Sequence, residues 1–184
     1  MLKKLIPDYY FKSVYDIPYE ELYNSGIRLI LTDLDNTLIS YNEYLPDGNL
    51  FELKRHIENL GFEFILVSNS KKERVTRFAS AFRIPCVKFA TKPLKRGIKK
   101  AINKVAKNKY NNNQILLIGD QLMTDVFGAK RCKIKVGLIE PIDKSSDIKT
   151  TSFNRKLEKH FIKKIQKKYP KDYERVLKEF NHDW

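Results

Sequence analysis

Two carboxylates, Asp33 and Asp35, stand two residues apart just past an apolar run, residues 27–31, that only Arg28 interrupts. The run has the length and β-branched content of a buried strand. Strand side chains alternate between faces, but the chain turns once the strand ends. Both acids can then enter one crevice at the carboxyl edge of a sheet, where open α/β folds bind ligands. Carboxylates this close repel each other and call for a cation or a shared proton. That suits a metal site far better than a core. Acids at a strand end also serve as solvated loop residues, so the rest of the chain decides.

The 184 residues are enough for one domain, burying roughly 70% of the unfolded surface. Apolar and aromatic shares of 42% and 12% are those of a globular chain. No apolar stretch approaches the roughly 20 residues that span a bilayer. The start, Met1-Leu2-Lys3-Lys4-Leu5-Ile6-Pro7, opens like an export signal, but its apolar part stops at Pro7-Asp8 and a cytoplasmic protein is expected. Cys86 and Cys132 lack metal-ligand spacing and read as free, buried thiols of a reducing compartment. The formal net charge of +14 points to a polyanionic partner, or to a lysine-rich solvated surface. Residues 92–109 hold eight basic side chains and no acid, and residues 153–171 hold eight against Glu158 alone.

Strand-like runs at 28–32, 62–68, 85–90, 114–118 and 135–139 alternate with helical spacing at 49–60, 71–82, 94–107 and around 126–131. Gly61 closes the first of these helices, and Pro46-Asp47-Gly48 punctuates the loop before it. In the third, Ile98, Ala101, Ile102 and Val105 share one face. The aromatic-rich opening (Tyr9, Tyr10, Phe11, Tyr15, Tyr19, Tyr23) is expected to cover the domain, with a helix starting at Ile17-Pro18 and carrying Glu20 and Glu21 in its first turn. The alternation implies a doubly wound, mainly parallel α/β fold in three α/β/α layers. Residues 1–150 form this unit, and 151–184 a basic, amphipathic helical extension.

Three strand ends carry polar residues: Asp33 and Asp35, Ser68 and Asn69, Asp120 and Asp125. Lys92 follows the remaining short strand. A parallel sheet sets all these ends on one edge. Phosphoryl transfer needs such a set: a nucleophile, a proton donor, a cation and groups for the equatorial oxygens. Magnesium prefers an oxygen shell of one or two carboxylates, waters and substrate phosphate.

The pattern resembles the haloacid dehalogenase superfamily of phosphohydrolases. Its first motif, Asp-x-Asp-x-Thr, is met by Asp33-Leu34-Asp35-Asn36-Thr37. Ser68 meets the second, Lys92 the third, and Gly119, Asp120 and Asp125 the fourth. The resemblance implies that Asp33 attacks phosphorus to form an aspartyl-phosphate and that Asp35 protonates the leaving oxygen, then activates water. It implies that Asp33, the Asp35 carbonyl and Asp120 hold Mg²⁺, that Asp125 supports that shell, and that Ser68 and Lys92 bind phosphoryl oxygens. Asn69 either orients backbone or joins the phosphate-binding groups. Thr37 is expected to fix the turn, and His56, His160 and His182 lack ligand spacing. Ser68 as a hydroxyl bonded to backbone, and Lys92 as a surface lysine, are the competing readings.

Only 23 residues separate Leu38 from Phe62, and 21 separate Ser70 from Lys92, so no cap domain fits at either insertion point. An uncapped site stays open to bulky substrates. The start of the chain, residues 32–38, Val67-Ser68-Asn69, Lys92-Pro93, residues 119–125 and Phe153-Asn154-Arg155-Lys156-Leu157-Glu158 resemble the YqeG-type subgroup, over about residues 1–160. Members are related to phosphatidylglycerophosphate phosphatases. The resemblance implies a phosphorylated lipid substrate at an anionic membrane surface, at the inner face of the membrane. Phe153, Leu157, Phe161 and Ile165 recur every four residues among lysines. Such a helix can lie on anionic lipid or dock its stripe on the domain, with Arg155 a candidate contact to lipid phosphate. The alternatives are a nucleotide, nucleic-acid end or phosphoprotein as substrate, and, in another class, a basic RNA- or ribosome-binding protein on a phosphatase fold.

Overall fold

The computed structural model describes residues 1–71, 73–107, 109–143 and 149–180, with backbone alone over 149–154. The strands are β1 (Tyr9–Phe11), β2 (Leu29–Thr32), β3 (Glu63–Val67), β4 (Cys86–Val87), β5 (Ile115–Gly119) and β6 (Lys135–Ile139). They form one all-parallel sheet in the order β1–β6–β5–β2–β3–β4. Central β2 pairs with β3 on one side and β5 on the other, and Thr32 stands level with Leu66 and Ile118. The strand order reverses between β2 and β5, which is where open α/β sheets form their ligand crevice.

Alternation along the strands divides the core in two. Leu29, Leu31, Ile65, Val67, Ile115 and Leu117 enter one apolar cluster, and Ile30, Phe64, Leu66, Leu116 and Ile118 the other. The second cluster is covered by α1 (Tyr19–Asn24), α2 (Gly48–Asn59) and α3 (Glu73–Phe82), through Leu22, Leu50, Ile57, Val75, Phe78 and Phe82. The first is covered by α4 (Lys95–Val105), α5 (Phe127–Cys132), α6 (Lys149–Lys168) and α7 (Pro170–Val176), through Ile98, Ala101, Ala129, Ile162, Ile165 and Val176. Asp47 caps α2 by accepting the Leu50 amide at 2.8 Å.

The doubly wound sheet and its five expected strands are present, with differences at the edges. A sixth strand, β1, pairs with β6; Asp8 anchors it, its carboxylate accepting the Val136 amide at 2.9 Å and pairing with Lys130 at 2.7 Å. The strand expected at 85–90 shrinks to β4, because Phe89 and Thr91 turn the chain away at φ values of +52° and +55°. Cys86 and Cys132 are free but half-buried, not sealed in the core.

The C-terminal helix docks. Its inward face is Arg155, Glu158, Ile162 and Ile165, all buried, and Leu5, Ile6, Leu177 and Phe180 lie in the same cluster. Leu157 and Phe161 of the expected stripe are only half-buried, and the Phe153 side chain lies outside the described residues. Lys156, Lys163, Lys164, Lys167 and Lys168 face solvent. Among the described residues no helix is long and apolar enough to cross a membrane.

Candidate active site

Asp33 follows β2 directly, its amide donating to the Ile118 carbonyl of β5 at 2.9 Å. Its carboxylate is 7% exposed, and the Lys92 ammonium lies 2.9 Å from Oδ1. The same ammonium lies 2.7 Å from Asp125 Oδ1, so one buried cation bridges two acids from different strand ends. Asn69 sets that lysine in place: its Nδ2 donates to the Lys92 carbonyl at 2.9 Å and its Oδ1 accepts the Lys92 amide at 2.6 Å. Of the two roles open to Asn69, its amide thus takes the one that orients backbone. Ser68, at the end of β3, is buried, and its hydroxyl accepts the Ser70 amide at 3.1 Å. That bond leaves the hydroxyl proton to donate. Lys92 is no surface lysine.

Past β5, a π-helical turn at Leu122–Val126 carries Asp125 back toward the sheet. A π turn is a recurrent device at functional sites. Gly119 makes the return possible, because a Cβ there would lie 2.3 Å from Asp125 Cγ. Asp125 Oδ2 then accepts the Gln121 amide and the Thr124 hydroxyl, each at 3.2 Å. On the far side Gly97 of α4 sits against the Ala90 carbonyl, 2.0 Å from where a Cβ would be. This presses α4 onto the loop that holds Lys92.

Two arginines complete the site: Arg74, to which the sequence assigned no role, and Arg155, which it offered only as a contact to lipid phosphate. Arg74, buried on α3, pairs with Asp35 Oδ1 and donates to the carbonyls of Ser40 and Glu43, both at 2.7 Å. It ties the loop after β2 to the proposed proton donor. Arg155, 4% exposed, pairs with Asp120 Oδ2, donates to the Asp120 carbonyl at 2.7 Å and reaches Glu158 at 3.3 Å. Glu158 in turn accepts the Met123 amide at 3.3 Å. Arg155 therefore serves the buried carboxylates, and the expected contact to lipid phosphate is not where it points. Thr37 holds the turn through its amide, which donates to the Leu34 carbonyl at 3.3 Å, while its hydroxyl is buried without a partner.

The charges do not balance. Among the described residues Asp33, Asp35, Asp120, Asp125 and Glu158 face Lys92, Arg74 and Arg155, five acids against three cations. Burial pushes Asp33 up to about 8, against the pull of Lys92 and with help from Asp125, Asp120 and Asp35. Burial likewise lifts Asp120 and Glu158 to about 7, with Arg155 opposing both. Lys92 is held above its usual range, the attraction of Asp125 and Asp33 outweighing its desolvation. Asp33, Asp120 and Asp125 each offer a carboxylate oxygen within 4.8 Å of the others, and Asp120 Oδ1 is buried without a hydrogen bond. A deficit of two charges, three converging oxygens and an orphaned carboxylate oxygen fit one hard divalent cation. Of the seven residues the sequence selects, Asp33, Lys92, Asp120 and Asp125 form this cluster, Asp35 lies near enough to act on the charge of Asp33, Asn69 supports Lys92, and Ser68 bonds the Ser70 amide at the end of β3.

A family model described as "Mitochondrial PGP phosphatase" matches residues 2–143. The chain is 32% identical over 169 residues to "Probable phosphatase YqeG" of Bacillus subtilis (strain 168), covering 91% of this chain and 96% of that protein. Among solved structures, an uncharacterized protein from Listeria monocytogenes serotype 4b superposes with a TM-score of 0.50 at 17% identity, over 64% of this chain and 84% of that one. That likeness speaks to the fold alone; the first two both span Asp33 through Asp125. By that reach this chain belongs to the PGP phosphatase family and is a phosphatase, built on a doubly wound, all-parallel α/β sheet.

Proposed function

We propose that the chain is a Mg²⁺-dependent phosphatase that removes the terminal phosphate of phosphatidylglycerophosphate at the inner, anionic face of a membrane. The observation that carries this reading is the buried acid cluster with its two-charge deficit, on a chain with no room for a cap. Asp33 and Asp120, with the Asp35 carbonyl, would hold the ion, and Asp125 would support them. The ion supplies positive charge opposite the phosphoryl oxygens when bound.

Asp33 attacks phosphorus, the bond to the lipid oxygen breaks, and an aspartyl-phosphate forms. Asp35, oriented by Arg74, gives its proton to that oxygen. It then takes a proton from the water that attacks the acyl phosphate, which frees inorganic phosphate and regenerates Asp33. Lys92 and the Ser68 hydroxyl bind the phosphoryl oxygens, and Asn69 keeps Lys92 in register. Phosphate release from the lipid in detergent micelles with Mg²⁺, measured against Asp33→Asn, tests the reading. Release no greater than that of the variant would refute it.

The exposed basic face of α4 (Lys95, Arg96, Lys99, Lys100, Lys104) favours one second reading, a nucleic-acid end as substrate. A substrate panel with a much higher kcat/KM for such an end would select it. A retired phosphatase that binds RNA would instead show binding that weakens steeply with salt and ignores Asp33→Asn.

A further inference from the structure

Among the described residues eight large apolar side chains are exposed, and five of them, Tyr44, Leu45, Phe89, Leu94 and Ile142, belong to loops at the carboxyl edge of the sheet. Each is bound closely to the site. Tyr44 and Leu45 follow Glu43, whose carbonyl receives Arg74, and the Arg74 guanidinium lies 5.7 Å from the Tyr44 ring. The Phe89 amide donates to the Ser70 carbonyl at 3.0 Å, two residues past Ser68. Leu94 is two residues past Lys92. The Ile142 amide donates to the carbonyl of Asn36, the neighbour of Asp35, at 3.2 Å.

Single exposed apolar residues are ordinary; their gathering on the edge where the site opens is not. Phe89 holds φ +52°, a region costly for a bulky residue, and its ring is 52% exposed. The setting is cationic. The Lys71 ammonium stands 4.0 Å over the Phe89 ring, and exposed Lys95 and Arg96 follow Leu94. Of the nearby exposed acids, Glu73 is paired with Lys88 at 3.3 Å, Glu43 accepts the Ser40 amide and Asp47 accepts the Leu50 amide. Among the described residues, by contrast, the exposed side chains of α4 and α6 are basic or polar, with no large apolar one apart from Leu94 at the head of α4.

We infer that Tyr44, Leu45, Phe89, Leu94 and Ile142 form a rim that enters the headgroup and acyl boundary of an anionic bilayer, with Lys71, Lys95 and Arg96 on the lipid phosphates. This rests on the reading of the substrate as a membrane lipid. An apolar rim with basic flanks is the chemistry of an interfacial anchor. Because no cap covers the edge among the described residues, insertion would set the carboxylates at headgroup depth, and the lipid need not leave the bilayer.

The test uses vesicles of phosphatidylcholine and phosphatidylglycerol that contain no substrate. The full chain is expected to sediment with them. Phe89→Ser/Leu94→Ser/Ile142→Ser, with an unchanged unfolding midpoint, is expected to lose about tenfold or more in partitioning. In a Trp184→Phe background, Leu94→Trp is expected to be quenched by brominated acyl chains, which covers the case of a triple variant that fails to fold. Full partitioning of a folded triple variant, no quenching, or loss confined to Lys156→Glu/Lys163→Glu/Lys164→Glu would overturn the rim. Because no turnover is measured, these outcomes are separate from phosphate release in micelles, which judges the substrate.

Discussion

Arg155, on the C-terminal helix, pairs with Asp120 at the end of β5, across 35 residues of sequence. The extension thereby supplies a counter-ion to a carboxylate that would hold the metal. Glu158, one turn on, closes a buried Asp120–Arg155–Glu158 chain. The last part of the protein is wired into its chemistry.

Removing Arg155 leaves two buried acids without their cation. Arg155→Met is expected to cost about 3–5 kcal/mol, read as a fall in the thermal or denaturant midpoint. Glu158→Gln keeps the Arg155–Asp120 pair and offers the Met123 amide a neutral acceptor, so its cost is expected to stay below about 1 kcal/mol. Equal losses from the two variants would contradict this arrangement.

The buried acids also make stability depend on pH. Burial raises Asp33 to about 8 and Asp120 and Glu158 to about 7 in the folded protein, above unfolded values of roughly 3.9–4.3. The native state then binds more protons than the unfolded one between these limits. The stability they contribute is whole below about pH 4 and is lost as pH rises through 7 and 8. With a chelator, the melting temperature is expected to fall across that window. Saturating Mg²⁺ should flatten the fall, since the ion takes the protons' place. Identical slopes with and without Mg²⁺ would contradict the assignment.

Arg74 holds Asp35 and two loop carbonyls at once. Arg74→Lys keeps the charge but not the fork, so the proton donor is misplaced. The expected result is a fall in kcat of about 10–100-fold on a soluble phosphate ester, with KM changed far less. An unchanged kcat would remove Arg74 from its positioning role.

Gly119 is needed by a contact, not by its conformation. In Gly119→Ala the added methyl lies 2.3 Å from Asp125 Cγ. The π turn must shift, at a cost of roughly 1–3 kcal/mol. Mg²⁺ binding by calorimetry is expected to weaken with it. Wild-type affinity in a folded variant would contradict the placement of Asp125.

The strand-end acids were legible because β2, β3 and β5 are long apolar runs with polar residues at one end, and topology alone brings those ends together. Strand β1 was not, being three aromatic-rich residues held by Asp8 and β6. Arg74 carried a readable signal, a cation spaced four and eight residues before Phe78 and Phe82 on the buried face of α3. The C-terminal face differs from the expected stripe for a geometric reason. A strict four-residue repeat drifts about 40° per step around an α-helix, so Phe153, Leu157, Phe161 and Ile165 spiral off any one face. The spacing of Arg155, Glu158, Ile162 and Ile165 alternates three and four, and stays on one. Charged residues on that stripe hid it. Since α6 and α7 bring Ile162, Ile165, Val176 and Leu177 into the main core, deleting the extension would remove core as well as charge, and charge reversals on its outer lysines are the cleaner probe.

The most direct measurement is a rapid-quench trap of the enzyme turning over phosphatidylglycerophosphate with Mg²⁺, followed by mass spectrometry of the borohydride-reduced peptides. The expected result is homoserine at position 33, the product of reducing an aspartyl-phosphate there, in the wild-type chain and not in Asp33→Asn. No homoserine at position 33, or no turnover of the lipid while a soluble phosphate ester is hydrolysed, would contradict it.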